Sequence, residues 1–218
     1  MRNRDYKLFG PGEYFHIYNR GNGKQNIFLE NEDFQFFLLR LRQNLFPNEE
    51  LGQKTRTKVL PAGSFSLISY CLMPNHFHFL LRQDGEIPTT KLLLKVCTSY
   101  SIYFNKKYNK VGHVFQDQYK QVSVDDNQYL LWLSAYIHQN PKVGGLTENL
   151  GDYYWSSYPE YIGKYGGICD KEIILSQFSN QSGDDKTGAR SYESFVESSY
   201  KIIKEKKELE HLLLDHIF

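Results

Sequence analysis

Asn75-His76-Phe77-His78-Phe79-Leu80-Leu81 sets two histidines either side of one bulky apolar residue, in the alternation of a β-strand. Side chains on a strand project alternately to its two faces. His76 and His78 therefore share one face, and Phe77, Phe79 and Leu81 share the other. Two imidazoles side by side can hold one divalent cation. A merely polar sheet face would read the same way, so the pair gains meaning only from its surroundings. Upstream, Ser64-Phe-Ser-Leu-Ile-Ser-Tyr-Cys71 reads as a second strand and Met73-Pro74-Asn75 as a tight connection. The two strands predict an antiparallel hairpin.

Working outward, Glu13-Tyr-Phe-His-Ile-Tyr-Asn19 is a first strand and Arg20-Gly21-Asn22-Gly23 a turn. A helix opens at Asn31, read as its cap, and carries Phe34, Phe37, Leu38, Leu41 and Leu45 at the helical period. Residues 47–63 read as a loop. A second helix starts at Ile87-Pro88-Thr89 and runs to Asn105, and a short extended stretch follows, ending near Val124. Asp125 and Gln128 have capping-box spacing and open a third helix, which Pro141 should end by Asn140. The order β-α-β-β-α-β plus a further helix predicts an α+β, ferredoxin-like (split βαβ) antiparallel sheet with helices on one face. Residues 1–165 are expected to form that domain. Residues 166–218 are expected to be a helical C-terminal extension, with a loop over 179–191 and one or two charged helices over 191–214. No internal repeat is present.

Composition narrows the function classes. The 218 residues contain 40% hydrophobic and 16% aromatic residues, enough for a core with rings left over for stacking on bases. Three cysteines, Cys71, Cys97 and Cys169, are widely spaced, which argues against a disulfide framework or structural zinc site and fits a reducing, cytoplasmic setting. The N-terminal stretch Met1-Arg-Asn-Arg-Asp-Tyr-Lys7 lacks the apolar run of a signal peptide, and no membrane span is expected. Residues 1–142 hold 18 Lys and Arg against 12 Asp and Glu, whereas residues 143–218 hold 8 against 13. A basic N-terminal part suits a polyanion, with Tyr14, Tyr18 and Tyr119 as candidate exposed rings.

The third helix supplies candidate chemistry in Tyr136-Ile-His-Gln-Asn140-Pro141. Tyr136 and Asn140 are four apart and share a helix face, while His138 lies about 200° around the helix. A phenol and an amide oxygen from that face can reach a metal held by His76 and His78. Mixed N/O ligation by His76, His78 and Asn140, completed by water and a phosphate oxygen, suits Mg²⁺ or Mn²⁺. Such a metal would polarise a phosphodiester for attack by the Tyr136 hydroxyl, leaving a covalent phosphotyrosine.

The stretches Tyr18-Asn19-Arg20-Gly21, Tyr70-Cys-Leu-Met-Pro-Asn-His-Phe-His78, Gly112-His-Val-Phe-Gln116, Tyr136-Ile-His-Gln-Asn-Pro141 and Trp155-Ser-Ser-Tyr158 occur in this order over roughly residues 12–163. Together they resemble the single-tyrosine HUH transposases, in particular the REP-associated tyrosine transposases. The resemblance implies a metal-dependent cut of single-stranded DNA at or near a hairpin and a 5′-phosphotyrosine on Tyr136. His76 and His78 would be ligands, with Asn140 third where related transposases carry glutamine. The protein would act as a monomer or homodimer. Two rival readings are a non-catalytic single-stranded nucleic-acid-binding module and a rolling-circle initiator or relaxase. The conjunction of His76, His78 and Tyr136 argues against the first. The transposase-like setting of Tyr136 argues against the second.

Overall fold

Alternation of large apolar residues over residues 65–83 builds a hairpin whose strands are buried on both faces. In the computed structural model, which describes residues 10–49, 58–179 and 185–215, these strands are β2 (Phe65–Met73) and β3 (His76–Gln83), joined by the tight turn Pro74-Asn75. β1 (Tyr14–Arg20) pairs antiparallel with β3, and β4 (Lys120–Val124) pairs antiparallel with β1, giving the order β2-β3-β1-β4. That is the expected ferredoxin-like sheet. β2 has a bulge between Leu67 and Ser69, which shifts the alternation by one residue so that Phe65, Leu67, Tyr70 and Leu72 all face the same core.

The crossover helices α1 (Asn31–Leu45) and α2 (Thr89–Lys107) share one face of the sheet. Phe34, Phe37 and Leu41 of α1 and Leu92, Val96 and Tyr100 of α2 bury Phe15, Ile17, Phe77 and Phe79 there. α3 (Asn127–Val143) lies on the opposite face, where Leu130, Leu133 and Ile137 meet Ile68, Leu80 and Val124, so helices cover both faces of the sheet and not one alone as expected. After it come two single-turn helices, α4 (Tyr158–Tyr161) and α5 (Glu172–Leu175), and the long α6 (Asp185–Asp215), which packs along α3. Tyr192, Val196 and Ile203 of α6 are fully buried in this second core.

Several boundaries differ from those read in the sequence. The cap of α1 is Glu30, whose carboxylate forms a capping box with Asp33; Asn31 is already helical. The cap of α3 is Asp126, whose side chain accepts from the Tyr129 backbone N–H. α2 continues two residues past Asn105, to Lys107. α3 does not stop at Asn140 but runs through Pro141 to Val143. Pro141 cannot supply the N–H that Ile137 C=O would normally receive. The Asn140 side-chain amide takes over, donating to Ile137 O at 3.3 Å and to Tyr136 O at 2.8 Å. Residues 185–191, read as loop, belong to α6. Gly188 permits this, because a Cβ there would come within 2.6 Å of Ser179 Oγ. Residues 50–57 of the 47–63 loop and residues 180–184 of the 179–191 loop lie outside the described residues.

Candidate active site

The pairing register decides which side chains gather on the α3 side of the sheet. Across β3, His78 stands opposite Tyr18 of β1 and Cys71 of β2, and His76 stands opposite Arg20 and Met73. Partners in register share a face, so His76, His78, His16, Tyr18 and Arg20 form one patch. The imidazoles of His76 and His78 have centroids 5.1 Å apart. Above them α3 brings Tyr136, whose ring lies 5.8 Å from that of His78 and 6.2 Å from that of His16. Tyr136 is half-buried.

Hydrogen bonds fix how the histidines present themselves. His76 Nδ1 donates to Asn75 Oδ1 at 2.6 Å, which leaves the lone pair on Nε2. His78 Nδ1 is 3.0 Å from His16 Nε2, a contact that orients both rings. Burial pushes His76 and His16 each down to about 4 and lowers His78 well below the usual imidazole range. The positive charge of Lys207 adds to the depression of His76 and His78, while a side-chain hydrogen bond with Asn140 opposes it at His76. At neutral pH these rings are uncharged, the form that ligates metal.

Asn140 is fully buried beside this pair. Its Oδ1 accepts from Lys207 Nζ of α6 at 2.5 Å, and the same ammonium lies 5.1 Å above the Tyr136 ring. On the other side of Tyr136 the rings of Trp132 and then Tyr129 continue a stack along α3, at 5.4 and 6.0 Å. Lys206 caps Trp132 at 4.7 Å. Among the described residues no three His, Cys, Asp or Glu side chains group to hold a metal ion, so a cation here would need amide, water or substrate oxygens as well.

His138 points elsewhere. Its Nε2 meets Ser157 Oγ at 2.8 Å and its Nδ1 meets the Tyr192 hydroxyl at 2.8 Å, both in the core. Other sequence signals also have structural roles. Gly21 is required because a Cβ there would lie 2.1 Å from Gln25 O, where the chain turns back under the hairpin. Arg20 O accepts from Gln116 N at 2.9 Å, and the Arg20 guanidinium bonds the Gln116 side chain, so residues 112–116 brace the Arg20 corner. Trp155 to Ser157 run along the outer edge of β2, where Leu72 N donates to Trp155 O at 2.8 Å. Of the three rings expected to be exposed, Tyr18 is half-buried in the site. Tyr14 and Tyr119 are half-buried against the two cores, and Tyr129 is the more open ring, at 37% exposure.

His16 and Lys207 were not anticipated. His16 was legible, since β1 alternation sets it on the same face as Tyr18. Lys207 carried no signal, because it sits on a highly charged helix 67 residues from its partner Asn140.

The family model described as IS200-like transposase matches residues 37–140. Among solved structures, the chain is similar to a REP-associated tyrosine transposase bound to a REP hairpin. That match has a TM-score of 0.54 and 12% identity, covering 84% of this chain and 94% of that one. At this identity the likeness speaks for the fold, which is that of the REP-associated tyrosine transposases. A putative transposase from Deinococcus radiodurans matches at 11% identity and a TM-score of 0.38, covering 60% of this chain and 91% of that one. No curated protein matches. No helix among the described residues is long and apolar enough to cross a membrane.

Proposed function

We propose that this chain, similar over residues 37–140 to IS200-like transposases, is a metal-dependent enzyme that nicks and rejoins single-stranded DNA, with Tyr136 as nucleophile. One observation carries the reading. A tyrosine on α3 and a histidine pair on β3, distant in sequence, converge so that the Tyr136 and His78 rings lie 5.8 Å apart. Attack by Tyr136 Oη on a phosphodiester forms an O–P bond and breaks the P–O3′ bond. The phenol loses its proton and the departing 3′ oxygen gains one, so charge and atoms balance. The 5′-phosphotyrosine keeps the bond energy, and the reverse step rejoins DNA.

His76, His78 and Asn140 would hold a Mg²⁺ or Mn²⁺ ion, which when bound polarises the phosphate. The donor chemistry suits such an ion: two imidazoles kept neutral by burial and one amide oxygen make a mixed N/O set, with the Asn140 oxygen exchanging its bond from Lys207 for the ion. His16 orients His78 from behind, as outer partners of metal-binding histidines do. Arg20, exposed, and Lys206, exposed beside Trp132, give the mouth of the site a positive charge suited to a DNA strand. The similar structure holds a REP hairpin, and we extend that partner to this chain as folded single-stranded DNA. We assign the chemistry to residues 1–165 and treat residues 166–218 as a helical extension that borders it.

Incubation with end-labelled hairpin oligonucleotides and Mn²⁺, followed by denaturing electrophoresis, tests the reading. A covalent protein–DNA band is expected. Hairpin binding without any adduct, at any divalent ion, would favour a non-catalytic binding module instead.

A further inference from the structure

α6 has a buried stripe at helical spacing: Tyr192, Val196, Ser199 and Ile203. The next position of that stripe is Lys207, half-buried where an apolar residue would continue the pattern. The helix beneath it is firmly placed. Gln139 Nε2 donates to Val196 O at 2.7 Å, and the Tyr192 hydroxyl bonds Ser134 and His138 of α3. Lys207 is thereby aimed at Asn140 and at the face of Tyr136, and its charge is felt by His76 and His78. Withdrawing an ammonium from water among amide, phenol and imidazole groups costs free energy. Departures of this kind from the apolar pattern concentrate at functional positions.

We propose that Lys207, delivered by the C-terminal helix, binds a non-bridging oxygen of the DNA phosphate that Tyr136 attacks. The inference rests on the proposed nicking function and adds a residue to it. A phosphodiester is the anion that fits, because the ammonium lies 5.1 Å from the centroid of the ring whose hydroxyl would attack it. The C-terminal segment is then part of the DNA-binding centre and not an appendage.

The test measures binding with chemistry switched off. Fluorescence anisotropy of a labelled single-stranded hairpin is followed in EDTA, on a Tyr136→Phe background, over a range of salt. One lost phosphate contact on a single strand lowers the slope of log affinity against log salt by about 0.7, or about five-fold in affinity near 0.1 M salt relative to 1 M. Lys207→Met should show that loss and Lys207→Arg should recover it. Lys201→Met removes an exposed charge from the same helix and should change the slope far less. Lys207→Gln serves if Lys207→Met misfolds by circular dichroism. Equal slopes for Lys207→Met and Lys201→Met overturn the inference alone. So does unchanged DNA binding with tighter Mn²⁺ uptake by calorimetry, which would make Lys207 a competitor of the metal. A parent protein that binds no hairpin overturns the proposed function as well.

Discussion

Acidification from about pH 7.5 to about pH 5 should remove about 2 kcal/mol of stability through His138 alone. The ring is fully buried, and burial pushes it from 6.5 to about 3. Between those values the unfolded chain binds a proton that the folded chain refuses. The stabilisation is therefore complete above pH 6.5 and falls as pH drops toward 3. The slope is about 1.4 kcal/mol per pH unit, and about one and a half units lie between 6.5 and pH 5. Solvent screening does not reduce the figure, because no edge of the ring is exposed. Since His138 joins Tyr192 of α6 to Ser157 beside β2, its protonation strains the contacts that seat the C-terminal helix. Urea midpoints at the two pH values, for the parent and for His138→Gln, isolate the effect. The variant should lose about 2 kcal/mol of pH dependence whatever its absolute stability, because the other groups titrate in both proteins. Identical pH dependence in the two would refute the reasoning, as would an NMR titration of the His138 ring with a midpoint near 6.5.

Tyr136→Phe should keep the fold and hairpin binding but abolish the covalent adduct, since its ring contacts with Trp132, His78 and Lys207 need no hydroxyl. Peptide mapping of a trapped parent adduct should find DNA on Tyr136; a DNA-bearing peptide with Tyr129 and without Tyr136 would reassign the nucleophile. His78→Ala should abolish cleavage and weaken Mn²⁺ binding at least ten-fold by calorimetry, leaving the Phe77–Phe79 core intact; normal cleavage in Mg²⁺ would remove His78 from the ligand set. Asn140→Ala should cost about 1–3 kcal/mol in chemical denaturation, because Ile137 O is left without its substitute donor. Pro141→Ala restores a backbone N–H there, so the same substitution on that background should cost less, and equal costs would show that the Asn140 amide does not mend the helix.

The sheet and the face of the histidine pair were legible because strand alternation is a local property and the hairpin turn is short. Tyr136 was legible as a partner because four-residue spacing fixes its position relative to Asn140. The end of α3 was not, since the rule that proline stops a helix ignores a side chain able to replace the lost N–H. Asn140 is that side chain, and its geometry cannot be seen until the helix is built. His16 went unread although its alternation was as clear as that of His76. A single histidine on a strand gains significance only when register places it beside another, and His16 faces Leu80, diagonal to His78. The motif Trp155-Ser-Ser-Tyr158 carried a family signal whose physical content is edge pairing with β2 and support of His138.

The site joins two bodies whose relation no single element fixes. The imidazoles ride on β3, a central strand held from both sides by β1 and β2, so they move only with the sheet. Tyr136 and Asn140 ride on α3, which is held to the sheet by Leu130, Leu133 and Ile137 and on its outer side by α6. Distance from the histidine pair to Tyr136 therefore depends on how α3 is pressed onto the sheet, and α6 is part of that press. The polar ties that seat α6 converge on Ser134, His138 and Gln139, in the same stretch of α3, residues 134–140, that carries Tyr136 and Asn140. A perturbation of α6 docking would thus reach Tyr136 through one helical segment, without passing through the sheet. In this architecture the acidic, charge-rich C-terminal segment acts on the centre twice: by fixing the helix that bears Tyr136 and by placing Lys207 against it.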